Sequence, residues 1–394
     1  MSERRTGTDL FGGFGEDLTE RQGGPSAADP AAVEFSAGAP DPSSLVCPAP
    51  IPERARVLLG HGSGGQLSAA LMRDVIGPAL AGAAELAGSG SAGPLNDAAV
   101  VDVAGSRLAF TTDTFVVSPL EFPGGDIGEL AVNGTVNDLA MMGAQPLALS
   151  LAYVIEEGLP VEDLRRITES VARAAARAGV RVVTGDTKVV GRHAADRLFV
   201  NTAGIGLVTA GVSVSADRAA AGDAVVLSGS IGLHGIAIMS VREGLDFEVE
   251  IASDTQPLNV LVAAIVAACP DVHVLRDPTR GGLASALNEI AAASGVGIEL
   301  REETIPIPGP VRAACEMLGL DPLHVANEGK LVAIVPAASV EAVLAAMRTI
   351  PEGADAVEIG RAVADHPGMV TMRTIVGSQR IVDMLVGEQL PRIC

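Results

Sequence analysis

The residue type best suited to covalent chemistry stands last in the sequence, as Cys394 of Pro391-Arg392-Ile393-Cys394. A thiolate is the form of cysteine that attacks carbon, with a free pKa near about 8.5 that falls beside a cation. Arg392 is close enough in sequence to supply that cation. Pro391 fixes its own φ and biases Leu390 toward an extended path, so the spacing predicts a semi-stiff arm carrying a thiol.

A second set is acidic. Asp97 precedes Ala98-Ala99-Val100-Val101, Asp113 sits in Thr111-Thr112-Asp113-Thr114, and Asp186 follows Val182-Val183-Thr184-Gly185. Asp138 joins them from a predicted helix that also carries Asn133 and Asn137. Each acid alone reads as a solvated turn residue. Several in one half of a chain suit Mg²⁺, a hard ion that takes few carboxylates and leaves its other positions to phosphate. Only two of the 27 basic residues are lysines, Lys188 and Lys330. Both lie in polar motifs, Gly185-Asp186-Thr187-Lys188 and Asn327-Glu328-Gly329-Lys330, where a compact ammonium does what a guanidinium cannot.

Two further stretches suit anions. Asp277-Pro278-Thr279-Arg280-Gly281-Gly282 opens a predicted helix, whose first amides together with Arg280 offer an anion site or simply a capped end. Gly60-His61-Gly62-Ser63-Gly64-Gly65 has the spacing of a dinucleotide fingerprint but not its strand context. It reads instead as a loop whose backbone could wrap phosphate. His234, among glycines and apolar residues, reads as a structural histidine.

The elements that must position these residues follow from composition and pattern. A chain of 394 residues, 48% hydrophobic, predicts two α/β domains. A net charge of −21 and 2% aromatic content argue against nucleic acid. No run of eighteen apolar residues and no secretory h-region occur, so neither a membrane span nor export is expected. The four cysteines form no CxxC pair, which fits a reducing cytoplasm.

Residues 1–53 read as a disordered extension. Helices are predicted at 66–76, from Asp126 to Met142, at 161–178, and near 256–268, 281–294, 310–318 and 338–347. Strands are predicted at 108–117, 181–184, 198–208, 224–228, 297–301, 330–335, 356–363 and 369–375. Residues 380–386 read as a short helix.

Taken together, the Pro-Arg-Ile-Cys ending and the motifs at 125–144, 185–190, 277–282 and 327–330 resemble the HypE family of hydrogenase maturation factors. These are carbamoyl dehydratases in the superfamily of aminoimidazole ribonucleotide synthetase (PurM-like). The resemblance spans about residues 54–394. It departs at Leu233, where the family has an aspartate in Gly-Asp-His-Gly, and no role is assigned to that loop.

The resemblance implies an α/β (α+β) fold with an ATP-binding domain over 54–212, a second α/β domain over 213–377 and a mobile tail over 378–394. It also implies a chemistry. HypF loads a carbamoyl group onto Cys394, and ATP then drives its dehydration to a thiocyanate through an iminophosphate. The cyanide passes to a HypC–HypD complex. By the same resemblance Cys394, Lys188 and Glu328 are catalytic, and Asp97, Asp113, Asp138 and Asp186 hold Mg²⁺. Gly62, Gly64, Gly65, Asn137, Asp277 and Arg280 bind the nucleotide, and the chain forms a homodimer through its N-terminal domains. Two alternatives stand beside this one. They are a small-molecule kinase or synthetase of the same superfamily, such as thiamine-monophosphate kinase or selenophosphate synthetase, and a non-enzymatic thiol carrier.

Overall fold

Leu198–Val208 alternates buried and open positions with the period of a strand, and it forms the centre of a five-stranded sheet. The computed structural model describes residues 56–80, 96–245, 251–386 and 392–394. The expected extension over residues 1–53 and the arm at Pro391 lie outside the described residues.

The first sheet contains β1 (Ala99–Val103), β2 (Ser106–Phe115), β5 (Ala144–Glu156), β6 (Arg181–Val190) and β7 (Leu198–Val208) in the order β1-β2-β7-β5-β6. All neighbours are antiparallel except β5 and β6. A two-stranded hairpin, β3 (Glu121–Phe122) with β4 (Gly125–Asp126), leads into the covering helices.

The helix α1 (Gln66–Leu71) precedes this sheet, and α2 (Ile127–Met141) and α3 (Val161–Ala178) cover one of its faces. Asp126 caps α2 by accepting bonds from the amides of Gly128 and Glu129 at 2.7 and 3.0 Å. Gly128 lets α2 approach α3, because a Cβ there would meet the carbonyl oxygen of Ile167 at 2.6 Å. The other face of the sheet is open. Phe110, Ile205 and Leu207 are exposed on its strands, and Val183 of β6 is exposed by 58%.

The second sheet contains β8 (Ala224–Leu227), β9 (Val274–Arg276), β10 (Gly297–Arg301), β11 (Val332–Val335), β12 (Val357–Val363), β13 (Val370–Arg373) and β14 (Gln379–Val382), ordered β14-β13-β10-β12-β8-β11-β9. Every residue of β8 and β11 is buried, as in a strand covered on both sides. The period of two is plain along β8. Val225 and Leu227 pack with Leu283 and Leu287 of α6 (Gly282–Ser294), while Ala224 and Val226 pack with Leu261 and Ile265 of α5 (Asn259–Ala268). Around them lie α4 (Leu233–Arg242), α7 (Gly309–Leu318) and α8 (Val340–Met347). No helix among the described residues is long and apolar enough to cross a membrane.

Three expectations change. The strand expected over 181–184 continues to Val190, because β5 offers a long parallel partner, so the Asp186 and Lys188 motif lies within a strand. Residues 379–382 form β14 rather than a helix; Thr374 bonds the Ser378 carbonyl, and Gly377 at φ 84° turns the chain back onto β13. The glycines around His234 open the helix α4 instead of a loop.

Asp126→Ala removes the side chain that caps α2, and is expected to lower stability by about 1 kcal/mol. Urea unfolding monitored by circular dichroism measures it, and an unchanged midpoint would show the cap to be dispensable.

Candidate active site

The end of the chain folds back into the body of the protein. The side chain of Ile393 is 2% exposed and packs with Phe115, Val117, Phe122 and Tyr153. The Val116 amide donates to the Cys394 main-chain oxygen at 3.1 Å, and the Ser118 amide donates to the Arg392 carbonyl at 3.3 Å. Between them the Ile393 carbonyl points the other way and accepts from His234 Nε2 at 2.9 Å. Arg242 also donates to the Arg392 carbonyl.

Burying Ile393 contributes roughly 1.5–3 kcal/mol, while ordering three residues costs about 1–2 kcal/mol each. The hydrogen bonds, each worth about 0.5–1.5 kcal/mol net, therefore decide whether the tail stays docked. Arg392 itself turns away from the thiol. Its guanidinium bonds Asp196 at 2.6 Å and the Val116 carbonyl at 3.0 Å.

Docking brings Cys394 into a cavity of about 210 Å³ between the two sheets. The first sheet supplies Asp113 from β2 and Asp138 from α2, with Asp97 from the bend before β1. The second supplies Asp277 and Arg280 from the turn between β9 and α6, and Glu328 from the loop before β11. One carboxylate oxygen each from Asp97, Asp138 and Asp277 lie within 4.8 Å of one another. That is an all-oxygen donor set of the kind a hard divalent ion takes.

The charges in this cavity oppose one another. Burial pushes the Asp97 carboxyl up to about 8, although Arg276 holds it in an ion pair at 2.5 Å. Burial, then Asp277 and Asp97, raises Asp138 well above the carboxylate range, while Thr111 donates to it at 2.9 Å. Asp277 rises to about 6 for the same first reason. Glu328 is also raised well above its ordinary value, by burial and then by Asp277, Asp113 and Asp254, with Arg280 opposing. Burial pushes the Cys394 thiol up as well, and Arg280 is the cation that pulls it back. A divalent cation among these carboxylates would relieve the repulsion that raises them.

A second cavity of about 410 Å³ adjoins the first and shares Arg276, Asp277, Thr279 and Arg280 with it. Gly62 and Gly64 line it from the glycine loop, Ser68 from α1, and Ser285 from α6. Gly64 adopts φ +75°, and a Cβ there would meet the Arg280 carbonyl at 2.6 Å, so the two anion-type loops touch backbone to backbone. Ser285 Oγ is buried without a protein partner. A space of this size with an unsatisfied hydroxyl and an arginine at its border fits a nucleotide.

Most of the sequence-derived candidates thus meet, namely Cys394, Glu328, Asp97, Asp113, Asp138, Asp277 and Arg280 around one cavity and Gly62 and Gly64 beside it. Four lie elsewhere. Asp186 and Lys188 line neither cavity; they sit on β6, bonded to each other at 2.6 Å and exposed by 64% and 67%. Asn137 is buried and its amide is used internally, donating to the Gln256 and Glu328 carbonyls and accepting from the Leu258 amide. Gly65 packs against the Leu385 carbonyl, which a Cβ would meet at 2.4 Å. Asp277 stands with the metal-type acids in place of Asp186. Sequence reasoning missed Arg276 and Ser285, which carry no motif of their own, and gave His234 no part in holding the tail.

Two family models match the chain. The AIR synthase related protein N-terminal domain matches residues 95–208, and its C-terminal domain matches residues 220–372. The carbamoyl dehydratase HypE of Azotobacter vinelandii is 58% identical over 288 residues, which are 73% of this chain and 84% of that protein. A crystal structure of the hydrogenase maturation protein HypE in complex with ATP is 47% identical, with a TM-score of 0.71, covering 86% of this chain and all of that one. A chain in a crystal structure of a HypE–HypF complex is 48% identical, with a TM-score of 0.72, covering 78% of this chain and 100% of that one.

The acid cluster has a measurable consequence. Its folded-state pKa values are raised, so its contribution to stability is greatest below the unfolded carboxyl pKa. That contribution is lost as the pH rises through about 6 for Asp277 and about 8 for Asp97. Mg²⁺ is expected to raise the melting temperature more at about pH 8.5 than at about pH 5, where protons compete for the same oxygens. Asp138→Asn is expected to flatten that difference. Scanning calorimetry reads both, and an equal Mg²⁺ response in the variant would dissociate these residues from the ion.

Proposed function

This chain belongs to the HypE carbamoyl dehydratase family, and we propose that it uses ATP to dehydrate an S-carbamoyl group on Cys394 to a thiocyanate, the source of cyanide for nickel-iron hydrogenase. The observation that carries the reading is the position of Cys394, lining one cavity with Glu328, Arg280 and the three-aspartate cluster, beside a nucleotide-sized space.

Converting S–C(=O)–NH₂ to S–C≡N removes an oxygen and two N–H protons, and an amide oxygen is a poor leaving group. Transfer of the γ-phosphoryl group of ATP to that oxygen makes it leave as phosphate, with ADP as the other product. Glu328 is suited to take a proton from the nitrogen. Its Oε1 is buried without a protein partner and faces the cavity of Cys394, and burial raises its proton affinity above that of an ordinary carboxylate. Arg280 offsets negative charge near the sulfur and the phosphates. Asp97, Asp138 and Asp277 would hold Mg²⁺ with Asp113 beside them, and the ion would neutralise phosphate charge. Gly62 and Gly64 lie where their loop can border the nucleotide, and enclosure shields the activated amide from water.

We extend the reading to the assembly. The open apolar face of the first sheet supports a homodimer paired through the N-terminal domains, which we bound at about residues 54–212, ahead of a second domain over 213–377 and a tail over 378–394. Asp186 and Lys188 join the reaction through that pairing. HypF loads the tail and a HypC–HypD complex receives the cyanide, so the tail leaves and re-enters the cavity. A thiol acceptor kept reduced fits a cytoplasmic setting.

Intact mass tests the chemistry. With HypF, carbamoyl phosphate, ATP and Mg²⁺, the wild type is expected to gain a carbamoyl group and then lose the mass of one water. Cys394→Ala is expected to do neither, and Glu328→Gln to load without losing water. Equal ATP consumption by the wild type and Cys394→Ala would overturn the assignment. Val183→Asp places a charge on the open face and is expected to give a monomer by light scattering, with dehydration lost. A dimer that survives the change would rule out that face.

A further inference from the structure

We infer that His234 is a clasp for the tail, a positioning residue that seats Cys394 for dehydration and takes no part in its loading. His234 is fully buried, and both ring nitrogens are engaged. The Ile393 carbonyl can only accept, so Nε2 carries the proton and donates at 2.9 Å. Nδ1 then accepts from the Ser253 hydroxyl at 2.8 Å, and Ser253 Oγ in turn accepts from the Thr255 amide at 3.1 Å. Burial disfavours the charged ring, and the two bonds select this tautomer of the neutral one.

The ring is fixed from outside as well. Phe122 meets it edge-on, with centroids 5.6 Å apart. Ser253 is anchored to the β3–β4 hairpin through its amide, which donates to the Pro123 carbonyl at 2.8 Å. Gly124 permits this approach, since a Cβ there would meet the Ser253 nitrogen at 2.6 Å. The histidine is therefore a rigid donor aimed at the carbonyl that, among the described tail residues, the 116–118 segment does not bond.

The same short segment also holds the proposed base. Asp254 Oδ1 accepts the backbone amide of Glu328 at 3.1 Å, and Gly329 lies so close that a Cβ would meet the Asp254 carbonyl at 1.7 Å. Residues 253–255 thus set the tail through His234 and Glu328 through its own backbone, so sulfur and base share one reference frame. Loading by a partner uses the tail outside this frame.

The inference rests on the dehydratase reading, and its test separates the two. His234→Ala, His234→Gln and wild type are loaded with HypF and carbamoyl phosphate, then given ATP and Mg²⁺ in a single turnover read by intact mass. Loading is expected to match wild type in both variants. Dehydration in His234→Ala is expected to fall at least about tenfold, the scale set by one lost buried hydrogen bond. His234→Gln, which restores a donor near the Nε2 position, is expected to recover most of it.

A second readout needs no turnover. Alkylation of Cys394 by iodoacetamide, read by mass at the tail peptide, is expected to be several-fold faster in His234→Ala. Unchanged alkylation, or loading that falls in parallel with dehydration, would overturn the clasp. If wild type loads and never loses water, the dehydratase reading fails while the alkylation comparison still decides the clasp.

Discussion

Carboxylates buried side by side repel one another, and the two halves of this protein meet around such a group. Asp97, Asp113 and Asp138 come from the first sheet and its helix, Asp277 and Glu328 from the second. The protein supplies only part of the compensating charge, through Arg276 on Asp97 and Arg280 near Glu328 and Cys394. What is left over favours a divalent cation and a polyphosphate that brings its own metal. The repulsion that costs stability without ligands becomes affinity for a cation and for a nucleotide that carries one.

Much of this was legible in the sequence, because local signals carry backbone elements well. Val161–Ala178 and Leu198–Val208 follow their apolar periods from end to end, and Asp126 caps α2 as its position suggested. The strand Ala144–Glu156 was not foreseen, although it lies inside the first sheet. Its Pro146, small residues and mixed burial blur both periods, and its pairing with β6 and β7 is set by tertiary partners. The edge strand β14 was read as a helix for the same reason, since only the turn at Gly377 commits it to β13.

The candidate site divides along a similar line. Motif residues at element ends, such as Asp97, Asp113, Asp277 and Glu328, converge because turns and helix starts gather at one edge of each sheet. Asp186 and Lys188 belong to a motif as recognisable as the others, yet they lie on an exposed strand, bonded to each other and away from both cavities. Arg276 and Ser285 had no pattern to announce them. Arg392 was the natural cation for the thiol on sequence distance, but its guanidinium pairs with Asp196 and the role falls to Arg280.

Residues 392–394 are gripped by their main-chain oxygens and by the Arg392 and Ile393 side chains, and among these described residues no hydrogen bond shown runs through the sulfur. The seat is therefore indifferent to the group attached to the sulfur and to whether that group has lost its water. Free thiol, carboxamide and nitrile can each occupy it with the same backbone register, so the chain need not refold its dock between successive chemical states of one cycle.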